Sequence, residues 1–525
     1  MAVRHALRAR LTVALVALLA CAAFGGTLAS EASAKKMQVQ RIWMPGFTGV
    51  PGPQEESYVP PRGAHIGHSI DLDQVGVVKV GSPSAKNVLV MEPGTSAGAP
   101  YFVPFAKSLV ARDPQWQVWA VERRENLLED QTRLTRAKKN RASAEEIFNY
   151  YLGFLTKEQG AVKPHFLPLV PPFMAVKPAE VLNEIGAQWG MNVAVEDLHV
   201  VIEAAKALGG KVVLGGHSLG GSVVTAYATW DFAGSPGADG LSGLVYDDGG
   251  SSPTPVSKEM AEAELSNLHS RKNPWLAFGG IESPFLGLFS ALGSASTISF
   301  PDEASLAETF PLLPETLKPR TPAGCSLKEP GCSLVPATNE AEFGYGVNVG
   351  TSPLSLAAAQ AHVGAGIEET AGEDGLHGWN GSGALTPLKR YAEMLAGTDT
   401  RKADGSEWYF PERLTIDTGA VADGNDNPAQ EVLGEHAIHG HELPTSLKIL
   451  AINSELDKLF GGSTLTAAED LAEQSGIPRE NLTLINEEDT YAHNDPAGAD
   501  PEGEGIDGNV FFTGLSTFLG DIAAG

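Results

Sequence analysis

The chain has 525 residues with 59 glycines, 42% apolar residues and a formal charge of −27. That apolar share is ordinary for a globular protein and no repeat period is present, which excludes general disorder and solenoid architectures. An acidic surface would repel nucleic acid and anionic membranes, so neither is an expected partner.

The first residues read as an export signal, because Arg4, Arg8 and Arg10 precede the apolar run Leu11 to Phe24 and Ala32-Ser33-Ala34 offers a small-residue cleavage site. The run is shorter than the roughly 20 residues of a spanning helix, so cleavage after Ala34 and secretion are expected rather than a stable membrane span. Loss of the three arginines and Glu31 would take the formal charge from −27 to −29. Leu18-Leu19-Ala20-Cys21 loosely resembles a lipidation motif, so tethering through Cys21 is an alternative, although Ala22-Ala23-Phe24 continues the apolar stretch where a polar tether is expected.

Beyond the signal, short β-rich apolar runs alternate with helical patterns, as a parallel sheet with crossover helices requires. Strands are predicted at Asn87–Met91, Gln117–Val121, Lys211–Gly215, Leu244–Tyr246, Lys448–Ile452 and Leu482–Ile485, and helices at Val193–Leu208, after Ser218, at Lys258–His269 and at Val510–Ile522. The expected fold class is therefore α/β, with its site at the carboxyl ends of the strands. Between Tyr246 and Lys448 lie about 200 residues, far more than an ordinary connection, so a domain-sized cap is expected at about 251–445. It contains the apolar WLAFGGIESPFLGLFSALG, which either forms the cap's own core or lines a pocket for an apolar substrate. A smaller insert at about 131–192, with the Pro-rich PHFLPLVPPF, would join it over the site.

The most informative stretch is Lys211 to Gly221, KVVLGGHSLGG, where a β-branched strand runs into Gly216-His217-Ser218-Leu219-Gly220 and then an apolar helical run. A serine hydroxyl is a poor nucleophile unless held exposed beside a base, and a sharp strand-to-helix turn does so only if its flanking positions lack bulk. Gly216 and Gly220 supply that room, and Ser218 is the expected nucleophile. The Leu219 N–H, at the start of the helix, would face a developing oxyanion.

With these residues the chain resembles the α/β-hydrolase superfamily, in which serine, acid and histidine follow in that chain order. The resemblance spans about 37–130, 193–249 and 448 to the C-terminus and leaves out both inserts. It implies an α/β-hydrolase fold, a mostly parallel sheet with helices on both faces and a large cap. Asn453-Ser454-Glu455-Leu456-Asp457 takes the place of the family's acid turn, so Asp457 is the expected acid, with Glu455 as a near neighbour. Asp247 and Asp248 are alternative acids, because some members draw the carboxylate from the preceding strand. His493, between the last strand and the last helix, takes the general-base position, whereas His217 is expected to pack under the elbow. In the oxyanion loop, where relatives carry His-Gly, this chain has Pro93-Gly94, and the Thr95 N–H becomes the expected second donor beside Leu219.

Cys325 and Cys332 remain after signal removal, and two close cysteines in an exported chain favour a local disulfide. Asp423-Gly424-Asn425-Asp426-Asn427 and the following Glu435, His436, His439, His441 and Glu442 are rich in donor atoms, but their spacing matches neither an EF-hand nor a zincin helix and reads as a polar loop. No metal or cofactor is expected. The set implies acyl transfer to water from a small acyl-ester substrate by a secreted esterase or lipase. GHSLGG resembles those enzymes more than exported proline-type peptidases, and an exported peptidase of the same fold is the alternative. A non-catalytic binding protein on this scaffold is a third reading.

Overall fold

The computed structural model describes residues 37–48, 72–153, 186–250, 255–271, 273–278, 281–306, 313–362, 366–400, 402–459, 463–501 and 509–525. The expected signal segment with Cys21, the cleavage site at Ala34 and the Pro-rich stretch at 164–173 lie outside them.

Eight strands build one sheet in the order β1-β2-β4-β3-β5-β6-β7-β8. They are β1 (Gln38–Pro45), β2 (Gln74–Gly81), β3 (Asn87–Glu92), β4 (Trp116–Glu122), β5 (Val212–His217), β6 (Gly243–Asp247), β7 (Lys448–Asn453) and β8 (Leu482–Asn486). From β4 through β8 every pairing is parallel, whereas β2 runs antiparallel to β4. All six predicted strands are present, each within about two residues of the expected ends. β1 and β2 are additions that the apolar runs do not announce, since QVQRIWMP mixes polar and apolar residues throughout.

A strand covered on both faces must be apolar at every position, and consecutive side chains then supply opposite layers. Val212 and Leu214, Leu244 and Tyr246, and Ile449 and Ala451 enter one core. Their neighbours Val213, Val245, Leu450 and Ile452 enter the other. Helices α2 (Met191–Lys206) and α3 (Leu219–Thr229) cover the first layer, and α1 (Val103–Arg112) and the C-terminal α8 (Val510–Ala524) cover the second. α8 starts where the Asn509 side chain accepts the Phe512 N–H, an N-cap that satisfies one orphan donor.

The connection from β6 to β7 carries α4 (Lys258–Ser270), α5 (Phe285–Ser299), α6 (Asn339–Val347) and α7 (Leu388–Ala396). On α5, Leu288, Ala291, Leu292 and Ala295 pack with Ile147 and Tyr151 of the helix Ala144–Tyr151 and with Trp408, so the two inserts share one apolar cluster. Leu286, Phe289 and Ser290, also on α5, line a cavity instead, so the apolar stretch contributes both to the shared core and to a cavity wall. Cys325 and Cys332 form a disulfide across the loop of a small hairpin that pairs Thr321 with Ser333. It closes a local loop, as their spacing suggests. The oxygen-rich stretch at 423–427 is a turn and cap: Asn427 accepts from the Ala429 and Gln430 N–H groups at the start of helix Pro428–Leu433.

Candidate active site

The end of β5 and the start of α3 form a turn whose centre, Ser218, has φ 55° and ψ −128°. A non-glycine residue avoids this region unless its surroundings enforce it, at a cost of order 1–3 kcal/mol. Here the enforcement is backbone against backbone. A Cβ on Gly216 would sit 2.2 Å from the Gly220 oxygen, and one on Gly220 would sit 2.3 Å from the Glu92 oxygen. The turn is pinned further by the Ser218 N–H donating to Asp247 O at 3.0 Å and the Gly221 N–H donating to Ser218 O at 2.8 Å.

Ser218 and His493 line one cavity of about 780 Å3, together with Gly94, Thr95 and Ser96 of the loop after β3. His493 is buried, and its Nδ1 lies 2.5 Å from Asp248 Oδ2. Asp248 follows β6 directly, at φ 45°. Its Oδ1 accepts the Ser454 N–H at 2.6 Å, and its Oδ2 also accepts the Ser454 hydroxyl. The carboxylate at the histidine is thus Asp248, one of the two alternatives, and the expectation that Asp457 stands there is corrected. After β7 the chain turns into the helix Glu455–Leu459, which carries Asp457 to the Thr464 N–H at 3.1 Å. Ser454, the residue just past β7, faces the site by supporting Asp248. Glu455 is exposed.

Asp247 is wholly buried, and neither of its carboxylate oxygens has a hydrogen-bond partner. Desolvation, with the neighbouring Asp248 charge, pushes its carboxyl well above the usual carboxylate range, and the place at His493 Nδ1 is taken by Asp248 instead.

His217, expected only to pack under the elbow, and Asn494 and Asp495, to which no role was assigned, hold the histidine loop. The His217 Nε2 donates to the His493 carbonyl at 3.1 Å, and its ring stacks on Tyr101. Burial pushes His217 down to about 3, so this ring stays neutral and keeps the proton on Nε2. Asn494 donates to the Leu356 and Ala358 carbonyls at 3.0 Å and accepts from the Tyr101 hydroxyl at 2.9 Å. Asp495 accepts from the Ala492 N–H at 2.7 Å and from Thr386 Oγ1 at 2.6 Å. A polar run after a last strand, HNDP, is the only sequence signal for the last two.

The loop Pro93–Gly98 passes directly against the elbow. A Cβ on Gly94 would lie 2.7 Å from Ser218 Cβ, so only glycine admits this approach. Neither the Thr95 nor the Leu219 N–H donates to a backbone acceptor among the described residues. Among those residues, no group of three or more His, Cys, Asp and Glu side chains is arranged to hold a metal.

No protein-family model matches the sequence, and no curated protein is significantly similar to it. Among solved structures, a lipase candidate from Sulfolobus solfataricus is similar with TM-score 0.42 and 13% identity, over 86% of this chain and 92% of that one. A carboxyl esterase from Bacillus coagulans gives 0.38 and 11% over 93% and 100%, and an esterase from Thermogutta terrifontis 0.35 and 12% over 92% and 99%. These likenesses are distant, and the fold is defined by the molecule itself. The sheet order 1-2-4-3-5-6-7-8 with only β2 reversed among the pairings described, a serine elbow after β5 and a histidine after β8 make this the α/β-hydrolase fold.

Proposed function

We propose that the protein is a serine hydrolase that cleaves carboxylic esters with Ser218 as nucleophile, His493 as general base and Asp248 as the acid. The observation that carries this reading is the strained Ser218 elbow opening into the same cavity as a buried histidine whose Nδ1 is held by a carboxylate. With Nδ1–H donated to Asp248, the His493 Nε2 is left with a lone pair for the Ser218 proton. Attack of Oγ on the ester carbonyl forms a tetrahedral oxyanion facing the Leu219 and Thr95 N–H groups. Collapse expels the alcohol, protonated by His493, and water repeats the sequence on the acyl-enzyme.

An apolar acyl group suits the space beside the site. A second cavity of about 1040 Å3, walled by Ile147, Phe148, Phe289, Leu313, Leu317 and Phe343, shares Leu286, Ser290, Val347, Leu354 and Ala357 with the first. Such a wall rewards alkyl chains at about 0.8 kcal/mol per buried methylene and offers little to a peptide's amides. Export fits a disulfide, which persists in oxidising compartments. The test is mass spectrometry after a fluorophosphonate, with p-nitrophenyl esters of two to sixteen carbons assayed beside it. One adduct on Ser218, turnover that favours long chains and abolition of both by Ser218→Ala are expected. An adduct with peptidyl but no ester turnover would move the assignment to a peptidase, and a wild-type chain that takes no adduct would refute the mechanism.

A further inference from the structure

Arg123 follows β4, far from Ser218 in sequence, and is buried. Its guanidinium has five N–H donors in a fixed fork, and every nitrogen of it is engaged. Nη1 donates to Glu92 Oε1 at 3.0 Å and to the Pro93 carbonyl at 2.8 Å. Nη2 reaches the Gly94 carbonyl at 2.8 Å, the Ala97 carbonyl at 3.1 Å and Glu407 Oε2 at 2.6 Å, and Nε reaches Glu407 Oε2 at 3.2 Å. Three of these acceptors are backbone oxygens of the single loop that abuts the Ser218 elbow.

A trans peptide points its C=O and the following N–H in opposite directions. The Gly94–Thr95 bond is trans, since the two cis bonds among the described residues are Ser283–Pro284 and Thr321–Pro322. When Arg123 holds the Gly94 oxygen, the Thr95 N–H is therefore turned to the other side of the loop, and Thr95 lines the cavity that holds Ser218. Resting on the ester-hydrolase reading above, we infer that Arg123 is a positioning residue that sets the second oxyanion donor by fixing the Gly94–Thr95 peptide plane. Were that plane to flip, a carbonyl would face the oxyanion in place of a donor. Gly94 has no side chain to resist such a flip, and glycine is the residue for which the alternative plane is sterically open. The clamp replaces the stiffness that glycine gives up.

Glu407 makes the clamp two-sided. Its carboxylate accepts from Arg123, while its own N–H donates to the Ser96 carbonyl at 2.8 Å, and the Gly98 N–H donates to Gly405 O at 3.0 Å. The loop is thus held by Arg123 through the Pro93, Gly94 and Ala97 carbonyls, by the strip at 405–407 through the Ser96 carbonyl and the Gly98 N–H, and by its own turn, in which the Ala97 N–H donates to the Gly94 oxygen at 3.3 Å.

The test uses the full-length mature chain and the variants Arg123→Lys and Glu407→Gln. Lysine keeps a positive charge between Glu92 and Glu407, but its single nitrogen has three donors and cannot span the Pro93, Gly94 and Ala97 oxygens together. End-point titration with a fluorophosphonate counts folded sites, so turnover is expressed per titrated site. For Arg123→Lys the expected result is a fall in kcat of about a hundredfold, the scale of one lost oxyanion donor, with KM within about twofold. Affinity for an aryl boronic acid, which forms a tetrahedral adduct on the serine, falls by a similar factor, while affinity for a long-chain alcohol that binds without an adduct is unchanged. Glu407→Gln, which keeps an acceptor oxygen, lowers kcat in the same pattern by a smaller factor. Wild-type kcat per site in Arg123→Lys, or a loss confined to KM, overturns the inference. If Arg123→Lys does not fold, unchanged kcat per site in Glu407→Gln overturns it. A wild-type chain without adduct or ester turnover refutes the ester-hydrolase reading instead, so the two failures are told apart.

Discussion

Replacing Asp248 by asparagine should cost about four orders of magnitude in kcat, and the structure shows why so small a change is so damaging. Asp248 Oδ2 accepts from His493 Nδ1 at 2.5 Å and from the Ser454 hydroxyl, and Oδ1 accepts from the Ser454 N–H at 2.6 Å. An asparagine has one NH2 to place. If it replaces Oδ2, its hydrogens face Nδ1, the imidazole must carry its proton on Nε2, and that nitrogen can no longer accept the Ser218 proton. If it replaces Oδ1, it opposes the buried Ser454 N–H, a donor–donor contact that costs about 1–3 kcal/mol of stability. The histidine tautomer is therefore inverted in the state that keeps the backbone satisfied. A tautomer inversion of this kind lowers kcat by roughly 10⁴, or about 5.4 kcal/mol of transition-state stabilisation. The companion variant is Asp457→Asn. It touches the Thr464 N–H and hydroxyl, so it should lose about 0.5–2 kcal/mol of stability, the usual cost of weakening a helix-terminal acceptor, and change kcat by no more than a few-fold. Long-chain p-nitrophenyl ester turnover per fluorophosphonate-titrated site, measured beside urea denaturation, separates the two effects. A collapse of kcat in Asp457→Asn with near-normal kcat in Asp248→Asn would refute the assignment of the acid.

Gly94→Ala places a Cβ 2.7 Å from Ser218 Cβ and 3.0 Å from the His217 oxygen, so the loop must retreat. A loss of about 1–3 kcal/mol in urea melts is expected, with activity per folded site falling at least tenfold; unchanged activity would show that the loop does not need this approach. Ser290→Phe adds a ring where the two cavities meet and should cut turnover of sixteen-carbon esters by tenfold or more while sparing two-carbon esters. Equal losses at both lengths would separate the apolar cavity from acyl binding. Glu92 is wholly buried, and desolvation pushes its carboxyl up to about 7 despite the opposing pull of Arg123. A raised acid contributes stability that is full below its unfolded pKa near 4.3 and is lost as pH rises through about 7, about 4 kcal/mol in all. Urea melts should therefore show wild type losing stability relative to Glu92→Gln between pH 5 and 8, and a difference constant across that range would contradict the burial argument.

How much of this was legible in the residue order depends on the kind of interaction. The central strands stand out because each position faces an apolar layer, which leaves unbroken runs such as Val212-Val213-Leu214 and Ile449-Leu450-Ala451-Ile452. β1 and β2 lie at the sheet's other end, where polar and apolar residues mix, and no run marks β1. Ser218 and His493 could be located at one cavity because the roles proposed for them demand local context, an elbow between small residues and a loop between the last strand and helix. The acid demands only that a carboxylate meet Nδ1, and two turns at neighbouring strand ends offered one. Which of them points inward depends on the short helix Glu455–Leu459 carrying Asp457 away. Arg123 was invisible for a similar reason, since the three loop acceptors that it clamps are backbone oxygens, which leave no mark in a sequence.

The strip at 405–407 gives the long β6–β7 connection a role that a cover alone would not have. Ala97 and Ser406 pair as an antiparallel bridge, and the Ser406 hydroxyl reaches the Gly287 carbonyl on α5 at 3.0 Å. The wall of the apolar cavity and the frame of the loop that carries Thr95 are in this way one piece of chain. Swapping the connection for a short loop, as in designing a minimal hydrolase from this scaffold, would take away Glu407, which braces Arg123 and Ser96, together with Leu356, Ala358 and Thr386, which hold the histidine loop. On the proposed mechanism, a transplant of specificity between such enzymes would have to carry 405–407 along with the cavity, because substrate choice and catalytic competence would be inherited together.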